Sequence, residues 1–337
     1  MPANPLFDLK IQDLFTRNKA MGRCLTLAAL AAESNVPILI LGETGTGKTL
    51  LAQAIHNSSA RASEKFVSFN ASAMSDTLLE SQLFGHERGA FTGAQKTIKG
   101  KFELADSGTL FFDEIADMSP LAQAKILRAV EYGEFERLGS ERMLRSNARI
   151  ISATNTSLRD RIKQSRFRED LYHRLAGMTL LIPPLRERIE DLAGLIAGEL
   201  DAQACSAGKQ IVSIHPAAME QLLRYEWPGN LRELHHTIRT VVLFCDGEEV
   251  LPEHVVFQPS LYFPEVTAQN GVAATVASPA QADNNSGNGK DGLLATAIHR
   301  HIRAVYNSTG SNQRKTARLL GISRSRLIRH LRAMESK

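Results

Sequence analysis

Gly42-Glu43-Thr44-Gly45-Thr46-Gly47-Lys48-Thr49 follows directly on the apolar run Ile38-Leu39-Ile40-Leu41 and opens a helical pattern over residues 50–56. Strand, glycine-rich turn and helix start together make the setting of a P-loop, and each residue type has a physical reason to be there. The glycines let backbone N–H groups curl around a phosphate, and the helix start adds its partial positive charge. Lys48 reaches the outer phosphate oxygens, and the Thr49 hydroxyl can ligate Mg²⁺. Residues Gly42, Glu43, Thr44, Gly45, Thr46, Gly47, Lys48 and Thr49 are therefore the expected cradle of a nucleotide.

Beyond the P-loop, Thr109-Leu110-Phe111-Phe112 reads as a buried strand that ends in Asp113-Glu114. Two adjacent acids at a strand's carboxyl end divide the work, Asp113 holding the Mg²⁺ shell and Glu114 polarising an attacking water. The run Arg149-Ile150-Ile151-Ser152-Ala153 ends in Thr154-Asn155, polar groups at the edge where ligands of open α/β sheets sit. Together with Phe66-Val67-Ser68-Phe69, these short apolar runs alternate with segments of helical period. That order predicts an α/β fold built on a parallel sheet buried on both faces. Strand signals vanish from residue 189 to 257, which reads as a helical subdomain. Residues 258–292 turn to Ala, Asn, Ser, Gly, Pro and Thr, the composition of a flexible linker.

A chain of 337 residues, 43% apolar and 23% charged, fits a folded protein of at least two domains. No stretch approaches the roughly 18 apolar residues of a membrane span. Cys24, Cys205 and Cys245 are odd in number and far apart, which suggests neither a disulfide framework nor a zinc site and fits a reducing cytoplasm. Charge is unevenly placed: residues 293–337 hold ten Lys and Arg against Glu335, a net +9, which leaves −5 on the rest of a chain whose total is +4. A small basic module on a mildly acidic body is the electrostatic footprint of nucleic-acid binding, although a solvated basic tail has the same composition. Within it, residues 312–331 have the shape of a helix–turn–helix. Gly321 allows the turn, Ser323 caps the second helix, and Arg324, Ser325, Arg326 and Arg329 project where recognition helices meet the major groove. Residues 293–306 carry an apolar stripe suited to a dimer helix.

One further run is more diagnostic: Glu80-Ser81-Gln82-Leu83-Phe84-Gly85-His86-Glu87-Arg88-Gly89-Ala90-Phe91-Thr92-Gly93-Ala94. Physically, a Phe between glycine hinges is a small apolar loop tip, either tucked into its own protein or offered to another. With the P-loop and the acid pair in place, residues 18–257 closely resemble the AAA+ domain of bacterial enhancer-binding proteins, the activators of sigma-54 RNA polymerase. Residues 89–94 match that family's GAFTGA loop at every position, and the resemblance implies that Phe91 and Thr92 touch the sigma factor. It further implies that Asn70 holds Glu114 away from water until the assembly engages. By the same resemblance Arg168 and Arg174 are arginine fingers reaching a neighbour's γ-phosphate, and Arg232 is the lid's sensor arginine in cis. The tail is similar to the family's Fis-type helix–turn–helix.

The expected protein is an ATPase, hydrolysing ATP to ADP and phosphate with Mg²⁺, that assembles from dimer to hexamer, binds upstream double-stranded DNA and remodels sigma-54 RNA polymerase. Its expected parts are an N-terminal extension (1–17), the AAA+ α/β subdomain (18–188), the helical lid (189–257), the linker (258–292) and the DNA-binding domain (293–337). Departures from the family pattern are Thr49 where many relatives have Glu, Gln82 in place of Glu, and Ala71 and Ser107 in place of Cys and Gly. No receiver or sensory domain precedes residue 18, as in the phage-shock type of activator, so control is expected from a separate protein acting in trans. The expected location is the bacterial cytoplasm, at the nucleoid when DNA-bound, with no membrane partner. Two other classes compete: a remodelling ATPase acting on nucleic acid itself, and a DNA-binding repressor that uses nucleotide only to set its oligomeric state.

Overall fold

Along the chain, α1 (Lys19–Ala32), β1 (Ile38–Leu41), α2 (Lys48–Asn57) and β2 (Phe66–Asn70) lead into α3 (Asp76–Phe84) and the antiparallel pair β3 (Gly85–His86) and β4 (Ile98–Lys99). There follow α4 (Lys101–Leu104), β5 (Thr109–Asp113), α5 (Pro120–Tyr132), the hairpin β6 (Glu134–Glu136) and β7 (Met143–Arg145), β8 (Arg149–Thr154), α6 (Leu158–Lys163), α7 (Glu169–Leu175) and β9 (Met178–Leu181). A helical segment completes the described residues: α8 (Ile189–Ala207), β10 (Ser213–Ile214), α9 (Pro216–Arg224), α10 (Asn230–Phe244) and β11 (Glu249–Val250). The structure, a computed structural model, describes residues 8–71 and 74–257, all within one unit. The linker, the dimer helix and the helix–turn–helix with Arg324, Ser325, Arg326 and Arg329 lie outside the described residues.

Five strands form one parallel sheet in the order β2-β5-β8-β1-β9. The pleat sends Leu39, Leu110, Phe112 and Ile150 to one core, where they meet Leu79 and Leu83 of α3, Ile126 of α5 and Leu171 of α7. It sends Ile38, Ile40, Phe111, Ile151, Ala153 and Leu180 to the other, against α1 and α2. Both faces are thus covered by helices, which is why the strands read as unbroken apolar runs instead of alternating ones. The apolar runs stop together at the carboxyl edge, where Asn70, Asp113, Glu114, Thr154 and Asn155 lie at or just beyond the strand ends.

Local chemistry sets the helix ends. The Asn18 side chain accepts from the backbone N–H of Ala20 and Met21 to cap α1, and Ser119 caps α5 ahead of Pro120 in its first turn. The far end of α1 is met by Arg149, nearly buried on β8, whose guanidinium donates to Ala31 O (2.5 Å) and Ala32 O (3.2 Å). A helix C-terminus, with its orphan carbonyls and partial negative charge, thereby receives a buried cation. Burial and the neighbouring Arg61 pull this guanidinium down to about 10. In the lid, α8, α9 and α10 close on fully buried Trp227, whose indole N–H donates to Leu222 O (3.0 Å). Lys209 Nζ caps α10 by donating to the carbonyls of Val242 (2.9 Å) and Cys245 (2.8 Å). The lid also contains a two-residue parallel pair, β10 with β11, where the sequence offers no strand signal. Two residues are too short for a period of two to register. Among the described residues no helix is long and apolar enough to cross a membrane.

His56, at the end of α2, is buried with Nδ1 2.9 Å from Thr109 Oγ1 and Nε2 3.2 Å from Glu64 O. Burial holds its pKa below the ordinary histidine value, against the opposing pull of the Glu64 carbonyl. The unfolded chain then binds a proton that the folded chain refuses, so stability is complete above the unfolded histidine's pKa of about 6.5 and declines as pH falls below it. Urea unfolding at pH 7.5 and 5.5 is expected to show wild type losing stability at the lower pH. His56→Gln, with no proton to gain, is expected to lose less over the same interval.

Candidate active site

The P-loop runs from β1 into α2 with Gly45 at φ +81° and Gly47 at φ +96°, the left-handed region that disfavours a side chain. Gly47 is the N-cap of α2, so the first N–H groups of that helix face the space above the loop. A Cβ at residue 45 would meet Gly229 O at 2.2 Å and Arg232 Cβ at 3.1 Å. The loop therefore lies directly against the N-terminus of α10 in the lid. Between them opens a cleft of about 680 Å³ lined by Thr44, Gly45, Gly47, Lys48, Thr49, Asn70, Asp113, Glu114, Asp117, Asn155 and Arg232, with Leu195, Glu199, Leu231, Leu234 and His235 forming the lid wall.

Lys48 is nearly buried, and its ammonium donates to Gly42 O (3.0 Å) and Glu43 O (3.2 Å) while standing 3.7 Å from Glu114 Oε1. Glu114 directly follows β5 in the left-handed region (φ +54°), a conformation that costs a non-glycine residue about 1 kcal/mol or more. Its other oxygen accepts from the Asn155 backbone N–H (3.2 Å), and Asn155 Nδ2 donates to Thr44 Oγ1 (2.7 Å). The ends of β1, β5 and β8 are thus joined through side chains across the mouth of the P-loop. Thr154 is fully buried at the end of β8, where its hydroxyl accepts from Thr156 N (3.1 Å). Asn70 pairs in register with Asp113, which brings the ends of β2 and β5 side by side. Thr46 turns inward to donate to Glu43 O (2.8 Å).

Glu43 points the other way, into a bidentate pair with Arg186 at 2.6 and 2.8 Å. That guanidinium holds the Glu43 carboxyl below the usual carboxylate range, against the opposing effect of burial. The sequence places Glu43 in the cradle but gives no sign of its partners Arg186 and Asn230. The structure gives both a partner in the P-loop, with Asn230 Nδ2 donating to Thr44 O (3.1 Å) and Glu43 Oε2 (3.2 Å). Asp117, one turn beyond Glu114, also lines the cleft and was not anticipated.

Two expected residues stand apart from this constellation. Arg168 and Arg174 do not line the cleft: Arg168 forms an exposed bidentate pair with Asp170 (3.0 and 2.7 Å), and Arg174 donates to Glu131 (2.8 Å). The loop of residues 89–94 lies between β3 and β4, closed by Gly89 N–H donating to Ala94 O (2.9 Å). Gly89 (φ +85°) and Gly93 (φ +104°) flank a tip at which Thr92 is exposed and Phe91 half-buried, its ring edge-on to His86 at 5.0 Å between centroids. Beneath the loop, Arg137 joins Glu87 (2.7 Å) to Glu103 (2.9 and 2.7 Å); the Thr97 hydroxyl and then Arg137 hold the Glu87 carboxyl below its ordinary range, and Arg137, helped by the Gly100 N–H, does the same for Glu103.

Residues 14–181 match the Sigma-54 interaction domain family, and residues 186–261 match the AAA+ ATPase lid domain family. The chain is 38% identical over 327 residues to the Nif-specific regulatory protein of Klebsiella pneumoniae, a match covering 96% of this chain and 59% of that protein. It is 39% identical over 312 residues to the transcriptional regulatory protein ZraR of Klebsiella oxytoca, covering 93% of this chain and 67% of ZraR. The solved structure of NtrX from Brucella abortus in complex with ATP is similar at a TM-score of 0.67 and 30% identity, covering 95% of this chain and 69% of that one.

Because Gly45 combines a left-handed backbone with van der Waals closure against Gly229, Gly45→Ala is expected to push the P-loop and lid apart. The left-handed penalty alone is about 1–2 kcal/mol. Titration with a fluorescent ADP analogue is expected to show at least tenfold weaker binding, and retention of wild-type affinity would show that the closure is not needed for nucleotide.

Proposed function

The chain belongs to the family of AAA+ ATPases defined by the Sigma-54 interaction domain, and from that premise we propose that it hydrolyses ATP to ADP and phosphate and uses the cycle to remodel sigma-54 RNA polymerase at promoters. The observation that carries the reading is the joining of Lys48, Glu114 and Asn155 at the P-loop mouth, beside Asn70 and Asp113. In this reading Lys48 exchanges its two carbonyl partners for the outer phosphate oxygens, and the N-terminus of α2 and the glycine backbone hold the inner ones. The hydroxyl of Thr49 and the carboxylate of Asp113 are oxygen donors suited to a hard cation, and Mg²⁺ bound there would neutralise phosphate charge. Glu114 accepts a proton from, and orients, the attacking water, while Asn70 and Asn155 control where its carboxylate lies. Thr154 fixes the edge of β8, and Arg232 approaches the phosphates from the lid of the same chain.

The outward position of Arg168 and Arg174 supports their use on a neighbouring subunit of an assembly growing from dimer to hexamer. The exposed tip at Thr92, with Phe91 between glycine hinges, supports a contact with sigma-54. The net +9 of residues 293–337 supports binding of double-stranded upstream DNA through Arg324, Ser325, Arg326 and Arg329. A regulator supplied in trans and a cytoplasmic, nucleoid-associated location complete the proposal.

Glu114→Gln is expected to keep nucleotide binding and lose ATP turnover by about 10²-fold or more, since only the group that orients water is removed. Turnover near wild type would take Glu114 out of the chemistry. Thr92→Ala is expected to preserve ATPase while abolishing sigma-54 promoter melting, and a parallel loss of ATPase would make the loop part of the catalytic fold. Arg168→Ala and Arg174→Ala, inactive alone, are expected to regain partial turnover when mixed with Lys48→Ala subunits. No recovery in rings shown to be mixed would give these arginines a structural role only.

A further inference from the structure

Asn230 is a fully buried polar residue that opens α10 in the left-handed region, at φ +53°. Its side-chain oxygen accepts from Leu185 N–H (2.7 Å), in the connection between β9 and α8, and its amide nitrogen donates to Thr44 O (3.1 Å) and Glu43 Oε2 (3.2 Å) in the P-loop. One amide group therefore touches the nucleotide loop, the connection into the lid and the start of the lid helix that carries Arg232 two residues later. The turn that presents it is itself fixed, because Glu233 accepts from Gly229 N–H (2.7 Å) and Tyr225 O–H (2.8 Å). An interior amide with its donor and acceptor both engaged is costly to rearrange, so the three segments are tied into one geometry.

We propose that Asn230 is the positioning residue that fixes the lid to the P-loop so that Arg232 meets the bound nucleotide. Asn230 contacts no nucleotide itself; its effect passes through the loop backbone on one side and the first turn of α10 on the other. The inference rests on the ATPase reading for its kinetic arm, and ADP binding tests it without hydrolysis.

The test uses the full chain in a double-mutant cycle of Asn230→Gly with Arg232→Ala. Glycine accepts φ +53° and removes the amide together with its one methylene. Each single variant is expected to weaken binding of a fluorescent ADP analogue and raise the ATP KM about tenfold. The double variant is expected to be no more than about twofold worse than Arg232→Ala alone, the non-additivity of two groups acting as one. The apo melting temperature of Asn230→Gly is followed in parallel, and Glu43→Ala, which opens the same junction from its exposed side, is expected to repeat the pattern at smaller size. Fully additive losses would overturn the proposal, as would wild-type nucleotide affinity in both junction variants or an Asn230→Gly defect confined to the apo melting temperature. Absence of ATP turnover in wild type with the ADP-binding pattern intact would count against the ATPase reading and leave this inference standing.

Discussion

Bare backbone is the constraint on which this molecule is arranged. A polyphosphate is held by many N–H groups at short range, and that is possible only where the chain carries no Cβ and can take up left-handed angles, as at Gly45 and Gly47. The same bareness lets a lid carbonyl, Gly229 O, come so close to Gly45 that no other residue fits. The surface shaped for a ligand is thus also the surface on which the two halves of the described chain meet. Around that contact the polar groups are spent on fixing position: Glu43 holds Arg186, Asn155 holds Thr44 and Glu114, and Asn230 holds Glu43 and Thr44. Each hydrogen bond contributes only about 1 kcal/mol net. Leaving one of the buried partners unmet costs more than that, which is what makes the arrangement specific.

The loop of residues 89–94 is anchored by a different device. Its base is not packed into the main sheet; it leans on the β6–β7 hairpin through Glu87 N–H donating to Leu138 O (3.0 Å) and on Arg137, mostly shielded from water between Glu87 and Glu103. A guanidinium gripping two carboxylates in fixed fork geometry constrains direction far better than an exposed lysine pair would. Residues 85–87 and the hairpin are consequently held as a stiff platform, while the two open glycines leave the tip free to change its angles. Ser81 Oγ, 2.7 Å from His86 Nδ1, fixes the imidazole against which Phe91 rests.

Much of this was legible in the sequence, for a physical reason. Strands buried on both faces leave uninterrupted apolar runs, and the residues that end those runs, Gly42, Asp113, Glu114, Thr154 and Asn155, announce the carboxyl edge of the sheet. What stayed hidden depends on long-range register. Nothing local to Asn230 says that its amide lies beside Thr44, 186 positions earlier, or that Arg149 caps a helix 118 positions before it. The Glu43–Arg186 pair is invisible for the same cause, since neither residue type nor spacing distinguishes it from surface charge. Phe91 illustrates a third case: composition left it either tucked or offered, and the structure has it half-buried against His86 beside an exposed Thr92. The two-residue strands of the lid fall below any detectable period.

The arginines that miss the cleft are held weakly, and this bears on how a site built from one chain could be completed by another. Arg168 and Arg174 spend their guanidinium groups on Asp170 and Glu131, roughly half-exposed pairs of a kind that contributes about 0–1 kcal/mol in water. In the proposed assembly a neighbour's triphosphate would offer several negative charges, and the same guanidinium would interact with them more strongly than with one exposed carboxylate. The exchange would therefore favour the phosphate, with little to be surrendered on the donor side. Buried partners such as the Arg188–Asp191 pair, at 3.1 Å and nearly inaccessible to water, would not release an arginine on such terms. Asp191, the partner of that buried arginine, accepts from Thr16 Oγ1 and Arg17 N–H and so ties the lid to the start of the chain, whereas Arg168 and Arg174 stand on the surface with partners that are easily given up.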